Sequence, residues 1–202
     1  MQRDLKLKIA RLISLLFVPP SFTILTFIFF AFYYEDNHSK IIETISIALV
    51  FGFILPISLF LFLQSKKKIV DQDATIKEER TLPYLISAVF YLIGLILMII
   101  FKLNIVIIAF WFCYLSNTLI TISINKFWKI SAHSIGVSGT MAGILPAIGN
   151  YAFFLMPLVF FIGWSRITLK CHTLLQVVAG IIFAFLSTFI QMTVIINYFN
   201  HN

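Results

Sequence analysis

Three short stretches of this sequence hold the side chains best suited to chemistry on a phosphate. They are Lys77-Glu78-Glu79-Arg80-Thr81-Leu82-Pro83, then Ser131-Ala132-His133-Ser134, then Ser165-Arg166 followed after five residues by His172, Gln176 and Gly180. A guanidinium is a planar fork of donors that matches two oxygens of a phosphate, so Arg80 and Arg166 together can hold such a group. One imidazole near them can attack phosphorus and a second can protonate the departing oxygen, and His133 and His172 offer that pair. Plainer readings stand beside each. A histidine at a membrane interface needs no function, and an arginine there can be a snorkelling topology anchor. Lys66-Lys67-Lys68 reads as a headgroup-contacting stop signal, and Trp128 and Trp164 read as interfacial belt residues. His38 and His201 sit near the opposite face without a pattern. Adjacent residues on a helix point apart, so His133, Cys171 and His172 make a poor metal set, and no metal site is expected. No glycine-rich nucleotide loop is present.

The elements that position these residues follow from composition. Of the 202 residues, 60% are apolar and 11% charged, against about 25% charged in an average soluble domain. A soluble fold of this length cannot hide so much apolar surface, whereas a bilayer is itself an apolar solvent. The chain therefore reads as a single integral membrane domain over 1–202, an all-α polytopic bundle with the lipid bilayer as its partner. The net charge of +7 suggests nucleic acid at first sight, but in such a chain it records topology, and no nucleic-acid partner is expected. Cys113 and Cys171 read as packed thiols rather than a disulfide. No cleavage pattern follows the basic N-terminus, which reads as leading into a first span.

Apolar runs of about 20 residues mark spanning helices, here at 10–33, 42–64, 83–101, 104–124 and 174–198, with Pro19 and Pro20 expected to kink the first. One helix over 133–164 would be about 48 Å long, well beyond a bilayer core of about 30 Å. Pro146, Gly149 and Asn150 near its middle read as a turn. The stretch is therefore divided into short helices at 133–147 and 151–164, making about seven membrane helices. Gly136, Gly139 and Gly143 would let the first of the two pack closely on a neighbour. With seven spans, 13 of the 15 basic residues share one side with the N-terminus, which places that side in the cytoplasm. All three chemistry-bearing stretches then fall on the same basic face.

Those stretches resemble the three motifs of the type 2 phosphatidic acid phosphatase superfamily, K-x6-R-P, P-S-G-H and S-R-x5-H-x3-D. Ser165-Arg166-x5-His172 matches the third in residues and spacing, and Val177-Val178-Ala179-Gly180 continues it. Ser131-Ala132-His133 resembles the second, and Arg80 with Pro83 the end of the first. The resemblance covers residues 71–190. It implies a membrane lipid phosphatase that needs no metal or other cofactor. It further implies His172 as the nucleophile forming a phosphohistidine, and His133 as the acid for the leaving group. Arg80, Arg166 and Ser131 would be the phosphate cradle. The substrate would be a phosphorylated lipid, commonly phosphatidic acid, phosphatidylglycerophosphate or an isoprenoid diphosphate.

Two positions depart from the motifs. Asp73 stands where the first motif has its lysine, so Lys77 is the substitute from a neighbouring position. Gln176 stands where a carboxylate orients the nucleophilic histidine. Residues i and i+4 of a helix are neighbours, so the Gln176 carbonyl can accept the imidazole proton and hold its tautomer, without stabilising positive charge as a carboxylate does. All eight acids lie in the first 79 residues. Any carboxylate at the site must come from the connection at 71–79, where Glu78 or Glu79 can reach in or can equally pair with Arg80. The departures also admit an inactive relative that binds phospholipid headgroups or scaffolds other membrane proteins.

Overall fold

A computed structural model describes residues 2–200; His201 lies outside the described residues, as does the side chain of Arg3. Among the described residues the chain forms helices and turns and no strands: α1 (Gln2–Leu16), α2 (Pro19–Tyr34), α3 (His38–Ile47), α4 (Leu55–Ser65), α5 (Thr81–Ile100), α6 (Ile105–Phe127), α7 (Ala132–Ile148), α8 (Met156–Thr168) and α9 (Leu174–Asn200). Five helical stretches are long and apolar enough to cross a membrane, or six if α1 and α2 count as one bent span. A multi-pass membrane bundle is the result, with Leu85, Val89, Leu92, Ile96 and Ile99 among the large apolar side chains on its outside.

The bend expected in the first span is present, as a break between two helices. Pro19 and Pro20 do not kink a continuous helix over 10–33; they open a new one. Both occupy the first turn of α2, where a missing amide hydrogen is harmless, and α1 meets α2 at 51°. The second span also differs from a plain helix. Residues Ala48–Ile54 between α3 and α4 form a wider π-type stretch, followed at once by Pro56, which has no amide hydrogen to give.

Side chains set the other helix ends. Asn37 caps α3 by accepting from the Ser39 amide at 2.8 Å, and Asn104 caps α6 by accepting from Val106 at 2.9 Å. Lys67, Lys102 and Lys170 each adopt positive φ just past a helix. In all three turns the next amide reaches back to a carbonyl in the last helical turn, as in Lys68 to Leu63 and Cys171 to Arg166. Glycine would be the easier residue there, but a cation suits the negative end of the helix dipole.

The stretch at 133–164 does divide. Pro146 and Gly149 (φ +56°) close α7, a 3-10 turn covers Gly149–Leu155, and α8 folds back against α7. His133 at the start of α7 and Arg166 near the end of α8 both bond Ser14, which requires the segment to double back. Helix α7 is central, and its glycines face three different neighbours. Gly136 abuts Pro19 and Phe22 of α2, Gly139 abuts Thr188 of α9, and Gly143 takes the Phe110 ring of α6 against its backbone. Around them Phe27, Phe30, Phe110, Trp111, Met141 and Met192 form the buried core.

Candidate active site

The basic end of the bundle is assembled from local turns. The cap of α8 draws the Cys171 and His172 amides onto the Arg166 carbonyl, at 3.0 and 3.3 Å, so the chain reverses with His172 close to Arg166 along the backbone. Ser131, fully buried, caps α7, its hydroxyl accepting from the Ser134 hydroxyl at 2.9 Å. Gly180 of α9 lets this cap come close, since a Cβ there would sit 3.0 Å from the Ser131 carbonyl oxygen. The start of α9, carrying His172 just before it, is thereby pressed against the start of α7, carrying His133.

Gln176 settles the tautomer of His172. Thr173 and Gln176 form a reciprocal cap of α9, Thr173 Oγ1 accepting from the Gln176 amide at 3.3 Å and Gln176 Oε1 accepting from the Thr173 amide at 3.2 Å. An atom that accepts from a backbone N–H is the carbonyl oxygen, so the side-chain amide cannot be flipped. The same Oε1 lies 3.1 Å from His172 Nδ1, which must therefore donate. The proton sits on Nδ1, and Nε2 keeps its lone pair. Burial, reinforced by the charges of Arg80, Lys129 and Arg166, pushes the His172 pKa down to about 3, so the ring is neutral at pH 7. His133 has the opposite tautomer: its Nε2 is 3.1 Å from the Ser14 carbonyl oxygen and must donate to it.

Both arginines are buried, Arg80 at 4% exposure and Arg166 at 0%, but they are used differently. Arg80 donates to three backbone carbonyls: Nε to Ala74 at 2.6 Å, Nη1 to Ile130 at 3.1 Å and Nη2 to Asp73 at 3.2 Å. It ties the connection after α4 to the turn before α7. Arg166 uses only Nη1, which reaches Ser14 Oγ at 2.5 Å and Asp73 Oδ1 at 2.6 Å. Its Nε and Nη2 are buried and have no partner among the described residues. Those two N–H groups form the side-on fork of the guanidinium, the edge that meets two oxygens of one phosphate. A buried cation with two idle donors is costly unless an anion completes it. Lys77 is engaged elsewhere, its ammonium 2.9 Å from the Lys126 carbonyl oxygen.

Sequence reasoning missed four contributors. A carboxylate does arrive from the connection at 71–79, but it is Asp73, bridging Arg166 and, at 2.5 Å, Arg11. Burial alone would raise the Asp73 pKa; the Arg166 charge and the Arg11 bond prevail and hold it well below the usual carboxylate range. Arg11 and Ser14 of α1 carried no signal, since the basic N-terminus explains itself as topology. Lys129, also counted as topology, donates to the Cys171 carbonyl at 2.6 Å, and burial with the neighbouring Arg80 charge pushes its pKa down. Cys113 and Cys171 are free thiols. Among the described residues no three His, Cys, Asp or Glu side chains gather to hold a metal ion. Comparison with protein-family models, curated proteins and solved structures finds no match.

Proposed function

We propose that this chain is a membrane lipid phosphatase, divergent within the type 2 phosphatidic acid phosphatase superfamily, that hydrolyses a phosphate monoester or diphosphate of a lipid at its basic face. The observation that carries this is the idle side-on fork of Arg166, buried at the same end of the bundle as a neutral His172 whose Nδ1 is committed to Gln176, leaving Nε2 to act. The fork binds two non-bridging oxygens, Nε2 attacks phosphorus, and the bond from phosphorus to the lipid oxygen breaks. The leaving oxygen takes a proton from His133, which must first gain a second one; a bound phosphate dianion favours that. Water then attacks the phosphohistidine and gives a proton to His133; the phosphorus–nitrogen bond breaks, inorganic phosphate leaves and Nε2 regains its lone pair. Gln176 holds the tautomer throughout, Ser131 shapes the turn beneath His133, and Arg80 keeps the connection carrying Asp73 in place.

Seven crossings, with α7 and α8 as a short hairpin and the basic side in the cytoplasm, complete the proposal. An impermeant thiol reagent should fail to label a cysteine at position 67 in intact cells; ready labelling reverses the orientation. For the activity, purified protein should release phosphate from short-chain phosphatidic acid or an isoprenoid diphosphate, and His172→Ala should not. Equal release by both rejects the enzyme.

A second reading is favoured by two observations: Gln176 is already explained as a helix cap, and Asp73 already occupies one end of Arg166. On that reading the site binds phospholipid headgroups without turnover. Activity that appears only in Gln176→Asp would favour it.

A further inference from the structure

Helix α1 has three faces. Ala10 and Ser14, one turn apart, are buried against the bundle. Leu5, Ile9, Leu12 and Leu16 recur at steps of four and three residues, which is one stripe of a helix, and they are 45–59% exposed. At about 100° per residue, Lys8 and Arg11 flank that stripe on one side and Lys6 on the other. Lys6, Lys8 and Arg11 share a surface depression with Lys170 from the end of α8. Asp4 is the only acid of the helix. Four cations within its length and at its edge keep α1 out of the hydrocarbon, while the leucine stripe keeps it out of water. Such a helix lies in the plane of a membrane surface, and clustered lysine and arginine select an anionic one.

The inner face of the same helix is part of the site. Ala10 accepts from the Ser165 hydroxyl at 2.7 Å, Arg11 holds Asp73 at 2.5 Å, and Ser14 meets both Arg166 and His133. Among the described residues, no other helix outside the motifs makes such hydrogen bonds or ion pairs to all three motif regions at once. We propose that α1 is a surface clamp: its outer face docks on an anionic lipid leaflet, and its inner face thereby holds Arg166, Asp73 and His133 in their working arrangement. The site is then assembled where anionic lipid is present and loosened where it is not. This deepens the phosphatase reading but stands on contacts that would remain if the site only bound headgroups.

The test is hydrogen exchange of the full chain in nanodiscs of phosphatidylcholine alone or with phosphatidylglycerol, with phosphate release from short-chain phosphatidic acid followed in parallel. Exchange over residues 5–16 and over 165–173 should slow together, on the order of tenfold, when the anionic lipid is added. Lys6→Glu with Lys8→Glu should abolish that slowing while α9 exchange, the control for folding, stays as in the wild type. Equal exchange in the two lipids overturns the proposal. Slowing over 5–16 without slowing over 165–173 overturns the clamp. Protection that follows protein concentration in place of lipid charge assigns the stripe to a second copy and also overturns it. Slowing of both segments with no phosphate release in either lipid upholds the clamp and removes the phosphatase.

Discussion

Arg80 and Arg166 are the same residue type, equally buried at the same end of the bundle, and they do opposite work. Arg80 spends its donors on the carbonyls of Ala74, Ile130 and Asp73. Arg166 directs one nitrogen to Ser14 and Asp73 and leaves its fork unpaired. A guanidinium bonded to main-chain oxygens is a brace, because backbone carbonyls neither leave nor change charge. One that is half-satisfied in a buried place is a receptor for an anion of matching shape.

The sharpest break of this comparison is the exchange of each arginine for lysine, which keeps the charge and removes the fork. Arg166→Lys should retain the pairing with Asp73 and the fold but lower kcat/KM for phosphate release by about a thousandfold, the scale of losing preorganised donors at a developing charge. A loss under tenfold would show that the fork is idle. Arg80→Lys should act on stability, leaving at least one buried carbonyl unpaired at a cost of about 1–3 kcal/mol, read as a lower unfolding midpoint in detergent. A catalytic loss larger than that of Arg166→Lys, in protein of unchanged stability, would invert the two roles.

Asp73 sharpens the contrast, since its side chain touches Arg166 while its backbone carbonyl accepts from Arg80. Its pKa lies below the ordinary carboxylate value, so it contributes stability that is present above about pH 4 and lost as pH falls through the depressed value. Asp73→Asn should destabilise by about 3 kcal/mol at neutral pH, because two guanidiniums lose their carboxylate. The acid-induced fall in unfolding midpoint should also become shallower. An unchanged pH profile would place the carboxylate outside the network. A smaller effect is expected at Gln176. Gln176→Glu keeps an acceptor for His172 Nδ1 and adds charge that stabilises the imidazolium, which should raise kcat by about tenfold; a fall would show that the cap of α9 matters more. Last, His172 should stay neutral from about pH 8 to pH 5, well below its ordinary value near 6.5. Imidazole nitrogen shifts report this directly, and a ring titrating near 6.5 would mean an open, hydrated site.

Much of the bundle could be read from the sequence because bilayer crossing imposes a length and a composition that few other constraints imitate. The apolar runs ending near Ile100, Phe127 and Asn200 and the turn near Gly149 are cases of this. The bend at Pro19 was legible but its form was not, because proline bends a helix in one context and starts one in another, and the chain on both sides is apolar. The widened turn at Ala48–Ile54 has no local signature; Trp111 packs against Gly52 there, a contact between distant segments. In the site, the His172–Gln176 contact was legible from its four-residue spacing, although His172 precedes α9 and meets Gln176 across the Thr173 cap, not within a helix. The bonds of Arg11 and Ser14 were not, because they depend on how α1 lies over the connection 62 residues away and over a helix 152 residues away. Lys77 illustrates the converse: its charge was visible, but its reach to the Lys126 carbonyl was not.

The central claim is that phosphate sits on the Arg166 fork within reach of His172 Nε2. Rapid quenching of turnover in alkali, with short-chain phosphatidic acid labelled in its phosphate, tests it most directly, since phosphohistidine survives base. Label should be found on the peptide carrying His172 in the wild type, be absent in His172→Ala, and be much reduced in Arg166→Lys. Turnover without a base-stable phosphoprotein, or label on a peptide that lacks His172, would contradict it.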